Sequence, residues 1–455
     1  MTFSGLLNDY VFQLAFTLAI LIFVGIRMGY VRGGWGRHLP YIWTLIIYFV
    51  YVLASPLYFY NDGTKIIIGT DISGYYGLGF FFNNLAVLCF VIGYWIKGSN
   101  SDKVWLQPEE REIKKPQYFI SILFYVTYTI VLLNLAVGGA NLQNVFLGNE
   151  VLGLGASGAS YYLQNFTDSL ICILILAYLY DVPWKKLILW MAASFFLFSL
   201  LGFRYRIMLT LFGILFVYLY KSKINAKKIV IGLGLGLIFF YGVMFSTVNR
   251  RALILRRYDK MVYSPFEFKF EEVFLQTRGA LADMAVFRLY DNQYRDAKHD
   301  YGLTTFGYVF IRLIPRAIMP DKDKFYPPPQ LQTTIDAYDA WYAARSGEAT
   351  LCVAALYIAF GWWGIAFGHF FWGLLLRHFG DRIRLASKLK IANYIVIALA
   401  TFQWISRGYM PQIIDQTIYM LVPIWVLRFL SNRVRQNEPA NKKPTQSVLP
   451  ATSNN

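Results

Sequence analysis

The run LCVAALYIAFGWWGIAFGHFFWGLLL, residues 351–376, contains no aspartate, glutamate, lysine or arginine. About twenty such residues in a helix cross the hydrocarbon core of a bilayer, because the helix closes its own backbone hydrogen bonds where no water can. Comparable apolar runs recur at 11–30, 41–60, 76–96, 119–137, 161–180, 187–201, 207–220, 229–245, 391–405 and 413–430. Hydrophobic residues make up 57% of the 455 and charged residues 15%, which is more apolar surface than a soluble fold can bury. The short alternating strands of a membrane β-barrel are absent from the pattern. The expected fold is all-α: a polytopic transmembrane helix bundle of about eleven spans with one large extracytoplasmic loop of short helices. Met1 to Asp9 lacks a basic leader, so the first run is expected to be retained as a span.

Orientation follows from the short loops, since cytoplasmic ones collect lysine and arginine. One alternating set holds twenty-four basic residues, whereas the other holds Lys65, Arg204, Arg206 and Arg407. The bias places the N-terminus outside and the C-terminus inside. It divides the chain into N-terminal helices (1–247), an outer loop (248–347), C-terminal helices (348–430) and a disordered cytoplasmic tail (431–455). Most of the net charge of +17 is this bias plus the tail, so no nucleic-acid partner is expected. Cys89, Cys172 and Cys352 fall inside apolar runs, where a cysteine serves as a small buried hydrophobe.

The outer loop shows helical spacing over 271–290 and 305–319, and its helices are expected to pack amphipathically on the outer face. Residues 138–160 are glycine-rich and suit either a flexible connection or a re-entrant segment. Several arginines stand at outer turns. Arg204 and Arg206 lie in Gly202-Phe203-Arg204-Tyr205-Arg206, Arg407 lies in Ser406-Arg407-Gly408-Tyr409, and the loop supplies Arg278 and Arg316. Snorkelling or pairing with loop acids accounts for any one of them. Together they suit an anionic ligand reached from outside, because a guanidinium fork clamps phosphate oxygens bidentately. Tyr301, Tyr326, Tyr338, Trp341 and Tyr342 fit either sugar stacking or anchoring at the membrane interface.

At these residues the chain resembles the bacterial O-antigen polymerases, or oligosaccharide repeat-unit polymerases. The likeness lies in the Gly202–Arg206 turn, Gln276-Thr277-Arg278-Gly279, Ile314-Pro315-Arg316 with Pro320 and Lys322, Gly347-Glu348-Ala349, and Phe360-Gly361-Trp362-Trp363-Gly364 with Gly368. The resemblance allows twelve spans, since such proteins more often carry an even number with both ends inside. It implies a membrane glycosyltransferase of the bacterial cytoplasmic (inner) membrane, its large loop facing the periplasm. Its substrates would be undecaprenyl-pyrophosphate-linked oligosaccharides, polymerised into O-antigen, capsule or exopolysaccharide. A chain-length-regulating co-polymerase is a further partner the resemblance admits.

In that reaction an acceptor sugar hydroxyl attacks the donor's anomeric carbon and undecaprenyl pyrophosphate departs. Arg204, Arg206, Arg278, Arg316 and Arg407 are the candidates to hold the departing pyrophosphate. Glu348 and His299 are the candidates to take the hydroxyl proton. The ordinary alternatives are helix N-terminal charge for Glu348 and a solvated loop position for His299. Asp168 and Asp283 are further acids whose usual role would be structural pairing. No metal-binding or nucleotide-binding motif is present, so metal-independent catalysis without a cofactor is expected. A lipid-linked glycan flippase and an O-antigen ligase are the competing readings.

Overall fold

The computed structural model describes residues 9–29, 38–96 apart from 68, 115–137, 165–200, 204–221, 277–291, 298–322 apart from 312 and 315–317, 350–382 and 388–436, with isolated positions between 234 and 274. These form helices α1 (Tyr10–Gly29), α2 (Leu39–Asn61), α3 (Tyr76–Trp95), α4 (Pro116–Val137), α5 (Thr167–Leu179), α6 (Trp184–Leu200) and α7 (Arg204–Lys221). The outer loop contributes α8 (Gly279–Asp291) and α9 (Tyr308–Ile311), and the chain ends with α10 (Cys352–Arg382), α11 (Lys388–Arg407) and α12 (Met410–Gln436). One two-stranded hairpin, Ile66–Ile67 paired with Thr70–Asp71, joins α2 to α3.

Six helices, α2, α3, α4, α10, α11 and α12, are long and apolar enough to cross a membrane, and shorter apolar stretches lie in α1 and α5. The protein is therefore a helical membrane protein, but six spans by length and composition fall short of the expected eleven or twelve. Several runs counted as spans form helices too short to reach across unaided, such as α5 with 13 residues. The run 229–245 lies almost wholly outside the described residues. At the C-terminus α12 continues to Gln436, beyond the expected start of a disordered tail at 431.

The bundle is built around α5, whose residues Leu170 to Ala177 are completely buried. A helix apolar on every side belongs at the centre of its neighbours, and α5 packs on α4, α6, α7, α11 and α12. A second, tighter unit is the pair α3 and α10. A side chain at Gly93 would meet the Phe370 carbonyl at 2.1 Å, and one at Gly373 would meet the Phe90 carbonyl at 2.3 Å. Only small residues let two helix backbones approach this closely.

Helix α10 departs from the expected single span at residues 351–376. Phe360 (φ −142°, ψ 17°) and Gly361 (φ 64°, ψ −152°) leave helical geometry, and Gly361 adopts a left-handed backbone that suits glycine. The break reverses the chain. A Cβ on Gly364 would touch the Leu356 carbonyl at 2.2 Å, and the Leu356 side chain lies against Gly368. Cys352 Sγ reaches His369 Nε2 at 3.8 Å across 17 residues, whereas a straight helix would separate them by about 25 Å. Residues 352–359 thus fold back against the helix that follows, forming an arm of about 12 Å that is too short to span. Asp300 N–H caps the turn by donating to the Ile358 carbonyl (3.1 Å).

The outer loop also differs from expectation. Instead of lying amphipathically on the outer face, α8 is buried from Ala280 to Phe287. It wedges between α3 and the folded-back arm, with Met284 filling the space left by Gly79. Just before it, Phe274 stacks on Tyr58 with ring centroids 4.4 Å apart, and the Thr277 carbonyl accepts a hydrogen bond from Ser55. The described part of the loop around α8 is therefore packed within the bundle.

Candidate functional site

Arg206, on the first turn of α7, is buried, and its guanidinium forks onto Asp168 of α5 (Nε to Oδ1 2.7 Å, Nη2 to Oδ2 2.9 Å). Gln416 of α12 donates to the same carboxylate at 3.4 Å. The fork proposed for a pyrophosphate is here turned inward, where it ties α7 to α5. Asp168 has the structural partnership considered for it in the sequence. Arg204, two residues earlier, is the first residue of α7. Arg316 and Glu348 lie outside the described residues, as do Tyr326, Tyr338, Trp341 and Tyr342.

Arg278 and Arg407 are brought to the same part of the bundle by different elements. The segments that carry them adjoin the middle of α2, where residues Phe49–Ala54 form a π-helical turn just ahead of Pro56. Proline has no N–H to continue the ladder and crowds the preceding turn, which accounts for the widening. Ser55, at the end of that turn, binds the carbonyl of Thr277, the residue before Arg278. Arg407, at the C-terminal end of α11, lies within electrostatic reach of the Tyr51 phenol. Arg278 is half-buried and Arg407 exposed, so both stand at the boundary between the bundle interior and its outer surface.

The floor of this region is the start of the folded-back arm. Gly408 (φ 61°) presses against the Leu351 carbonyl, where a Cβ would come within 2.6 Å, so the turn after Arg407 abuts the arm. From the other side, Asp283 of α8 accepts the Leu351 N–H at 2.7 Å. Its second oxygen, Oδ2, is buried with no hydrogen-bond partner, as is Oγ1 of Thr350. Buried polar atoms are nearly always bonded to something, so these two belong to the minority of such atoms in the fold that lack a partner. Burial pushes the Asp283 carboxyl up to about 8, against the opposing pull of backbone N–H groups at Leu351 and Ala354. The group is thus held mainly as the neutral acid at pH 7, in contact with the N-terminus of a helix.

His299 sits above the arm. Its ring stacks on Tyr290 at 5.1 Å and meets Tyr357 edge-on at 5.5 Å, and its Nε2 lies against Gly361. Nδ1 is buried without a hydrogen-bond partner. It is therefore a packed residue at the break in α10, in contrast to the solvated loop position considered for it.

Deeper in the bundle lies a polar group that the sequence reading passed over. His369 of α10 is fully buried, with Nδ1 hydrogen-bonded to the Tyr48 hydroxyl and Nε2 beside Cys352. The available signal was a single histidine within an apolar run, since ionisable residues inside spans are costly and commonly functional. Among the described residues, no three histidine, cysteine, aspartate or glutamate side chains are grouped so as to hold a metal ion.

The elements that carry Arg278, Arg407 and Asp283 thus meet the interrupted helix α10 and the widened turn of α2 in a helical membrane protein. No family model, curated protein or solved structure matches the chain, so these residues are the only guide to its chemistry.

Proposed function

We propose that the protein is a membrane glycosyltransferase that polymerises undecaprenyl-pyrophosphate-linked oligosaccharide repeat units into a surface polysaccharide. The observation that supports the reading is that two arginine-bearing segments meet at the widened turn of α2, where Ser55 holds the carbonyl of Thr277 beside Arg278 and Arg407 comes within electrostatic reach of Tyr51. Fixed guanidinium groups at a partly dehydrated site stabilise the charge that accumulates on a departing pyrophosphate. The acceptor hydroxyl forms the new bond to the donor's anomeric carbon, the bond to the pyrophosphate oxygen breaks, and the hydroxyl proton passes to a base. Glu348 and His299 remain the proposed bases, with His299 at the break in α10. In this reading the shorter apolar helices also cross, giving eleven or twelve spans in the bacterial inner membrane with the outer loop facing the periplasm.

The test uses purified protein in lipid nanodiscs with synthetic lipid-linked repeat units and no nucleotide sugar. Elongation to a ladder of products is expected, and Arg278→Lys should reduce it because lysine keeps the charge but loses the fork. Failure of correctly folded protein to elongate any of a panel of repeat units would remove the proposal. The second reading, a transporter of lipid-linked glycans, draws on the buried His369–Tyr48 pair, because polar groups inside spans often line a path. A transporter would move the labelled lipid between leaflets and leave glycan length unchanged.

A further inference from the structure

The segment that follows His299 is amphipathic in the reverse of the usual sense. Residues Leu303–Gly307 form a π-helical turn that continues into α9. Its polar side chains Thr304 and Thr305 are buried, together with Tyr308. Its apolar ones, Leu303, Phe306, Phe310 and Leu313, are exposed, Phe310 to 73% and Leu313 to 63%. These four recur at intervals of three and four residues, and Ile318 adds to the exposed apolar set. Against water such a pattern is upside down, because the large apolar groups face out while hydroxyls take up the interior.

Two contacts fix where this face lies. Tyr308 packs near Tyr409, at the start of α12, with ring centroids 6.4 Å apart. The face is therefore level with the point at which a membrane-length helix begins. Phe306 lies beside Phe360, ring centroids 6.4 Å apart, and exposed rings continue from there down α10 through Trp363, Phe367 and Phe371. The apolar face of the loop is thus continuous with the outward face of a membrane helix.

We propose that Leu303–Ile311, with Leu313 and Ile318, forms an interfacial element seated in the outer leaflet of the membrane, with Leu303, Phe306, Phe310, Leu313 and Ile318 among the acyl chains. Its partner is the bilayer itself, since lipid covers the adjoining face of α10 and the loop surface carries that face outward without a break. The buried hydroxyl side then meets α10 and α12, and the outer loop is anchored in the plane of the membrane. The proposal does not depend on the reaction assigned above.

The test places a cysteine at Phe310 or at Leu313 in the full chain, labels it with a nitrobenzoxadiazole fluorophore, and reconstitutes the protein in nanodiscs. Native Cys172 and Cys352 are buried and Cys89 is half-buried, so the unsubstituted chain gives the background label. Quenching by phospholipid bearing a shallow acyl-chain nitroxide is compared with quenching by aqueous iodide. A seated element should be quenched at least about threefold more by the lipid nitroxide, and a label at Asp62 in the exposed turn after α2 should show the opposite preference. Stronger quenching by iodide at both positions would overturn the proposal. Protection from both quenchers, with cross-linking between chains at Phe310→Cys, would assign the face to a second copy and likewise overturn it. If Phe310→Cys does not fold, Leu313→Cys carries the same comparison.

Discussion

Replacing Asp283 by asparagine should change how the protein's stability depends on pH. In the fold this carboxyl is almost completely buried and titrates at about 8, against 3.8 for a free side chain. The folded value is raised, so the fold retains a proton that the unfolded chain releases. Stability from this group is complete below about pH 4, declines as pH rises, and levels off above about pH 8. Each pH unit inside that window is worth about 1.4 kcal/mol, so the interval from pH 5 to pH 7 corresponds to about 3 kcal/mol as an upper bound. Asparagine keeps an oxygen to accept the Leu351 N–H and does not titrate. Its amide nitrogen, placed where Oδ2 has no partner, costs about 1–3 kcal/mol at every pH. The two effects separate in a thermal-unfolding series in nanodiscs from pH 5 to pH 8. Wild type should lose stability across the series relative to Asp283→Asn, and the difference should close or invert toward acid pH. Parallel profiles for the two proteins would refute the assignment of a neutral, buried acid at the head of the folded-back arm.

The remaining predictions concern other contacts. Arg206→Ala or Asp168→Ala should each destabilise by about 3–5 kcal/mol, because a buried charge is left alone; the double variant should be less harmful than the sum, as a double-mutant cycle in thermal stability would register. Gly364→Ala places a Cβ 2.2 Å from the Leu356 carbonyl and should sharply reduce the yield of folded protein in size-exclusion chromatography, whereas Gly74→Ala, with nothing within 4 Å, should not. Gly361→Ala should cost about 1–3 kcal/mol through its positive φ, read as a lower melting temperature. Arg278→Lys and Arg407→Lys should both slow elongation of lipid-linked repeat units while leaving the melting temperature near that of wild type.

Much of the architecture was legible because it rests on apolar run length, and the helices fall on the expected runs wherever the structure describes them. What composition could not convey was direction. Residues 351–376 are as apolar as a span, yet the reversal at Gly361 is decided by which atoms Gly364 and Gly368 must admit, a matter of tertiary contact. The glycine and tryptophan motif there was noticeable in the sequence, but its geometry was not. Helix α8 differs from expectation for a related reason: the helical spacing of its apolar residues suggested one buried face, while in the fold Ala280 to Phe287 are all buried and Asp283 caps the arm inside the bundle. The arginines illustrate a different limit. Sequence gathers Arg206, Arg278 and Arg407 by type alone, and only the distances to Asp168 reveal that the Arg206 guanidinium is held inside the bundle.

The folded-back arm also has a consequence for the order in which the chain assembles during synthesis. Its internal contacts, Leu356 with Gly364 and Gly368, join residues 8 to 12 positions apart, so the hairpin can close as soon as that short stretch has left the ribosome. The contact that secures its base comes later, when the turn at Gly408 arrives against Leu351 after α11 has been made. Until then a 26-residue apolar stretch has two ways to enter the bilayer, as a long tilted helix or as a hairpin. The contacts that distinguish the second outcome are those of Leu356 with Gly364 and Gly368, which a straight helix cannot make.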